Sequence, residues 1–171
     1  SRAAPLLGLS PGHYFTLTQL YAERLGIEFP KEVELVELTS LLADRLEGGE
    51  IKFNKYPHDV PYAYVDPTHA VRVPDRHEKP RNLLSAVMPG PAKELFWRNE
   101  RGHTVGSTAL QFTQPGIAEK LTKARLEDAR RSGAKLIISD DPGTIQQLDN
   151  GAEEYGLEVR GLYDLLFEYL V

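Results

Sequence analysis

One local pattern occurs twice in this chain and restricts its fold more than any other feature. Ala134-Lys-Leu-Ile-Ile-Ser-Asp-Asp-Pro-Gly-Thr144 is one copy, and Pro5-Leu-Leu-Gly-Leu-Ser10 followed by Pro11-Gly12-His13 is the other. In each, a short apolar run meets a residue able to cap a helix. Proline then takes the first helical position, where its missing N–H costs nothing. Both read as a strand turning sharply into a helix. The sequences that follow match as well: Glu34–Leu38 and then Ser40–Leu46 parallel Glu158–Leu162 and then Asp164–Leu170. The chain therefore reads as two related βαβα halves. Strands alternating with helices give an α/β class, with mostly parallel sheets, helices on both faces and Rossmann-like pseudo-repeated halves. Ligands of such folds sit at the carboxyl ends of strands, which is where the two turns fall.

In chain order the patterns predict strands over Ala4–Leu9, Val33–Leu38, Val60–Val65, Ala92–Trp97, Ala134–Ser139 and Glu158–Leu162. Helices are expected over Pro11–Leu25, Leu41–Leu46 (capped by Thr39 or Ser40), Lys79–Val87, Gln114–Ser132, from Pro142 onward and over Asp164–Leu170. Gly26 and Gly133 sit where helix-ending glycines are expected. Ile51–Asp59 is a polar connector, and Arg98–Thr113 carries few regular signals. On Gln114–Ser132 the inward stripe is read as Ile117, Leu121, Ala124 and Ala129, with Lys120–Arg131 supplying charges to the solvated face. Phe96 and Trp97 are expected to pack under the irregular loop. Arg72, Arg76, His77, Lys79 and Arg81, with Asp75 and Glu78 among them, form a local basic cluster that could grip an anion; the favoured reading is a solvated loop and helix start.

Composition removes several classes. The chain has 171 residues, a formal charge of -5 and no cysteine. That charge leaves no basic footprint for nucleic acid, and no apolar run approaches the roughly 18 residues that span a bilayer. The start, Ser1-Arg-Ala-Ala-Pro5, has no signal-peptide pattern. Without cysteine there is no disulfide, no thiolate ligand, no iron–sulfur cluster held by this chain and no Cys nucleophile. A cytoplasmic protein is expected.

From Tyr62 onward the residues resemble a known family. The matching pieces are Tyr64-Val-Asp-Pro-Thr-His69, Lys79-Pro-Arg-Asn-Leu-Leu84, Arg98–Ala109, Ile117–Ala129 and Ser132–Thr144. Together they resemble the cysteine-rich CCG domain of iron–sulfur oxidoreductase subunits, such as the heterodisulfide reductase B, glycolate oxidase, lactate utilisation and anaerobic glycerol-3-phosphate dehydrogenase types. Residues 1–50 look like the end of a first CCG-like repeat and 51–171 like a complete second one, packed as one compact unit. The resemblance suggests a piece of a larger protein. In the family, cysteines in a C…CCG…CxxC arrangement hold an iron–sulfur cluster. Here those places correspond to Thr68, Gly106, Ser107, Asp141 and Thr144, with Ser10 and His13 in the earlier half-repeat. Ser, Thr and Gly cannot replace thiolates around iron. The resemblance thus implies a kept scaffold with the cluster, and its redox chemistry, lost.

Three candidates for chemistry remain, each beside a plainer role. His13, His69, His103 and Asp141 lie on turns of the implied pocket, where they are a candidate divalent-metal set; the plain role is loop histidines bonded to nearby backbone. Asp140 and Asp141 are candidate acid–base groups, although Asp before Pro at a helix start is ordinarily a cap; Asp66, with His69, His103 and Asp140, is a possible residue of the implied pocket. Ser107 lacks the G-x-S-x-G spacing of a hydrolase nucleophile because position 109 is Ala.

Two functions are therefore expected to compete. In the first, the chain is a degenerate CCG-type domain, a structural or docking component beside other iron–sulfur or flavin subunits, with no cofactor of its own. In the second, the vacated pocket binds a small molecule or a divalent metal, with or without enzymatic activity. Oligomeric state, substrate and redox partners are left open by the sequence.

Overall fold

In the computed structural model, which describes residues 6–8, 10–73, 75–107 and 109–171, the chain is α/β with two small, all-parallel sheets. β1 (Leu6–Gly8) pairs with β2 (Leu35–Glu37). β3 (Tyr62–Tyr64), β4 (Leu136–Ser139) and β5 (Glu158–Gly161) form the second sheet, in the order β3-β4-β5. Of the first expected strand, Ala4, Pro5 and Leu9 lie outside the described residues.

The two halves are built alike. β1 leads through α1 (Pro11–Phe15) and a π-helical extension (Thr16–Leu25) to β2 and α2 (Leu38–Glu47). β4 leads through α6 (Pro142–Ala152) to β5 and α7 (Leu162–Tyr169). Gly8 opposite Glu37 closes one ladder, and Ser139 opposite Gly161 closes the other. In both, the second strand runs straight into its helix. The two turns also share their cap: Ser10 Oγ accepts from the His13 N–H at 3.3 Å, and Asp141 Oδ2 accepts from the Thr144 N–H at 2.8 Å. Each cap satisfies one amide that the first turn of a helix leaves without a partner.

Between the halves lie α3 (Glu78–Val87), α4 (Ala109–Thr113) and α5 (Pro115–Ser132). Alternation along the strands sorts the core. Tyr62, Tyr64, Leu136 and Ile138 face Leu83, Leu84, Val87, Leu162, Leu165 and Leu166 of α3 and α7. Ala63, Val65 and Ile137 face Leu126, Ala129, Leu148 and Ala152 of α5 and α6. Successive strand side chains point to opposite faces, so a sheet buried on both sides needs apolar residues throughout. Each large aliphatic side chain buried here contributes about 1.5–3 kcal/mol.

Several expectations are corrected. Ala92–Trp97 is not a strand: one bond, Lys93 N–H to the Tyr62 carbonyl at 2.6 Å, attaches it to β3. Pro89 and Pro91, without N–H groups, precede it and cannot join a ladder. Phe96 and Trp97 are exposed rather than packed under the loop, stacking edge-on with each other at 4.9 Å. The irregular stretch contains α4. The buried stripe of α5 is Ala118, Thr122, Arg125, Leu126 and Ala129, so Arg125 leaves the solvated face and Ile117 and Ala124 join it. Arg125 donates to the carbonyls of Trp97 (2.7 Å) and His103 (3.1 Å), which ties the loop down. α2 starts earlier than expected, with Glu37 as its cap: the Ser40 N–H donates to Glu37 Oε2 at 2.8 Å. Among the described residues, no helix is long and apolar enough to cross a membrane.

Candidate functional site

The carboxyl ends of β2, β3 and β4 meet at a buried ionic cluster. Arg76, in the charged run read as solvated, is fully buried and central to it. Its Nη2 bonds Asp140 Oδ2, donates to Thr39 Oγ1 at 3.1 Å and lies 3.3 Å from Glu37 Oε1. Its Nε is also 3.3 Å from Glu37. Thr39 Oγ1 donates to Asp140 Oδ2 at 2.6 Å, and the Tyr64 hydroxyl donates to Asp140 Oδ1 at 2.8 Å. Because the Thr39 hydrogen is used on Asp140, the Tyr163 hydroxyl, 2.8 Å away, is the donor to Thr39. Burial pulls the Arg76 guanidinium down, but Tyr64, Asp140 and Glu37 more than reverse this, so it stays charged. Burial, then the Asp140 charge, pushes the Tyr64 and Tyr163 hydroxyls above the ordinary tyrosine range.

A buried charge is tolerated only where it is paired and hydrogen-bonded. Here the pairing joins the first half (Glu37, Thr39) to the second (Asp140, Tyr163) through the loop that follows β3. Asp140 is therefore a structural anion: its oxygens accept from Tyr64, Thr39 and Arg76. Asp66 is anchored in a similar way, with Arg81 donating to both oxygens (3.1 and 2.9 Å) and the Asn99 N–H donating to Oδ2 at 3.2 Å. Those bonds hold the turn after β3 to α3 and to the 98–103 loop.

The positions corresponding to cluster cysteines are occupied as follows. Ser10 and Asp141 are the helix caps, and Thr144 is buried with its hydroxyl donating to Asp141 at 2.9 Å. Thr68 is half-buried in the turn after β3. Gly106 has φ +92°, and a Cβ there would stand 2.4 Å from the Ala118 carbonyl oxygen, so the loop backbone lies directly on α5. Ser107 beside it is buried.

The candidate metal set does not assemble. The His69 ring rests against Gly12, whose hypothetical Cβ would be 3.2 Å from Nδ1, and near Phe15. Burial, then the Arg72 charge, lowers its imidazole below the usual 6.5, opposed by Asp141. His13 is exposed. His103 lies against Trp97, ring centroids 5.6 Å apart, with Nδ1 3.1 Å from the Thr104 carbonyl. Among the described residues, no three His, Asp or Glu side chains are placed to hold a metal ion. With no cysteine in the sequence and Ser10 and Asp141 spent as caps, these residues do not fit an iron–sulfur cluster either.

The sequence pointed to Thr39 only as a helix cap and to Arg76 only as part of a basic run, and it gave Glu37, Tyr64 and Tyr163 no role in a buried cluster. One signal was available: Thr39 and Tyr163 occupy the same place in the two repeats, directly after Leu38 and Leu162. Clefts are present elsewhere. One of about 330 Å³ lies between α5 and α6, lined by Thr122, Gln147, Asn150 and Tyr155 among others. Another, of about 460 Å³, runs beside Tyr163 between the starts of α6 and α7. Compared with known proteins, the sequence matches no protein-family model, and no curated protein is significantly similar to it.

Proposed function

We propose that this chain is a cluster-less domain of the CCG type, a structural or docking component of an iron–sulfur or flavin electron-transfer assembly, with no redox chemistry of its own. The observation that carries this reading is the engagement of the strand-end polar groups in holding the fold. A general acid or base needs an oxygen or nitrogen within reach of substrate. Asp140 is buried under three donors, Asp66 is clamped by Arg81, and Asp141 caps α6. These contacts preserve the geometry of two joined halves, which is what a docking component has to present. The partners in this reading are other iron–sulfur or flavin subunits in the cytoplasm.

The competing reading, in which the vacated pocket takes a divalent metal or a small ligand, would draw on His69 and Asp141, and it has no converging set of three ligating side chains among the described residues. Anaerobic purification with metal analysis and a visible spectrum separates the two. The docking reading expects no stoichiometric metal in the chain, together with co-isolation of a subunit that carries flavin or iron–sulfur absorbance. Stoichiometric zinc or iron, lost in both His69→Ala and Asp141→Ala, would replace it with the metal reading.

A further inference from the structure

The cleft between α5 and α6 is organised by one hydrogen bond. Thr122 is buried on α5, and its hydroxyl lies 2.7 Å from the Val105 carbonyl and 2.9 Å from that of Ala118. Carbonyl oxygens only accept, so the single Thr122 hydrogen is spent there. Any further partner of this oxygen must donate, and that partner is Gln147 of α6, 2.9 Å away. The fold thereby decides which way the Gln147 carboxamide is turned: its Nε2 faces Thr122. One of its N–H groups is used, which leaves a second N–H and the acceptor Oε1.

The lining around that amide describes a ligand. Asn150 stands three residues further along α6, hence on the same face, and adds a second carboxamide; Gln111 of α4 adds a third. Leu126 gives the cleft an apolar surface and Tyr155 an aromatic one. The charges present do not favour an anion: Lys123 is paired with Glu119 at 2.7 Å, and Glu154 lines the cleft as well. At about 330 Å³ the space is at the small end of ligand pockets.

We propose that this cleft binds a small neutral molecule bearing a carboxamide or cyclic-amide edge, which pairs with the remaining N–H and Oε1 of Gln147 and with Asn150. Such an edge offers a donor and an acceptor side by side. A carboxylate has no donor to offer and is repelled by Glu119 and Glu154. The site shares no residue with the buried ionic cluster and does not depend on the docking reading.

The test is an NMR titration of the full-length, nitrogen-15-labelled chain with uracil and with benzamide, following the side-chain amides of Gln147 and Asn150. Saturable shifts are expected, with a dissociation constant of about 1 mM or below for at least one probe. 1,3-Dimethyluracil keeps the ring and both carbonyls but has no N–H, and it is expected to bind at least about tenfold more weakly. Gln147→Ala and Asn150→Ala are each expected to weaken binding by at least about tenfold as well. Asn150 is exposed, so its variant tests the site even where loss of Gln147 disturbs the packing around Thr122. Absence of saturable shifts with both probes overturns the proposal. Equal binding of 1,3-dimethyluracil, or unchanged affinity in either folded variant, overturns it too, because binding would then not run through these amides.

Discussion

The hydroxyl of Thr39 lies 2.8 Å from that of Tyr163, and the two residues hold equivalent places as the second residue of α2 and of α7. The halves therefore meet at corresponding positions. Beneath this contact sit Asp140 and Arg76, so a fully buried ion pair lies at the seam between the halves. Removing either hydroxyl alone, by Thr39→Val or Tyr163→Phe, strands a partner in a buried site. A double-mutant cycle is expected to show a coupling of about 0.5–3 kcal/mol, measured by urea denaturation.

Arg76 is the member whose loss costs most. Arg76→Met leaves Asp140 and Glu37 buried as adjacent anions without a cation, a change that costs about 3–5 kcal/mol. For a chain of this size each kcal/mol moves the melting temperature by roughly 2–4 °C. Calorimetry is expected to show a fall of roughly 6–20 °C. A fall of only a degree or two would mean that the pair is solvated, contrary to its full burial.

Gly106 has no room for a side chain. Gly106→Ala combines a left-handed backbone with a contact of 2.4 Å to the Ala118 carbonyl, so the loop must lift from α5. The backbone strain alone is of order 1–3 kcal/mol. The variant is expected to be destabilised by at least that much, with faster amide exchange in residues 103–107.

His69 makes stability depend on pH in a stated direction. Burial, then Arg72, holds its folded-state value below 6.5, so folding favours the neutral ring. As pH falls the unfolded chain takes up this proton first. The His69 contribution is therefore complete above about 6.5 and is lost as pH falls from there through the folded value. An NMR titration is expected to place the His69 midpoint below 6.5, and His69→Gln should flatten that part of the stability profile.

The caps can be scored independently. Ser10→Ala and Asp141→Ala each remove a side-chain acceptor from a helix start, worth about 1 kcal/mol. Asp141 should cost more, because it also accepts from the Thr144 hydroxyl. Equal losses in denaturant midpoint would contradict that ordering.

Local chemistry made much of this protein legible in its amino-acid sequence. Apolar runs ending in Ser10-Pro11 and Asp141-Pro142 specify strand, cap and helix within a few residues, and the doubling of that pattern specifies two related halves in an α/β fold. These features depend on neighbours in sequence, where propensity and capping act. Arg76 shows the opposite case. Nothing near it distinguishes a buried guanidinium from a solvated one, because its partners Glu37 and Asp140 lie 39 and 64 residues away. The same holds for Arg125, whose acceptors are carbonyls of the loop it pins, and for Gly106, whose need for glycine comes from the approach of α5. Chain topology brought these groups together. Once they were together, the cost of leaving a charge or an amide unpaired in the interior decided which side chains were buried.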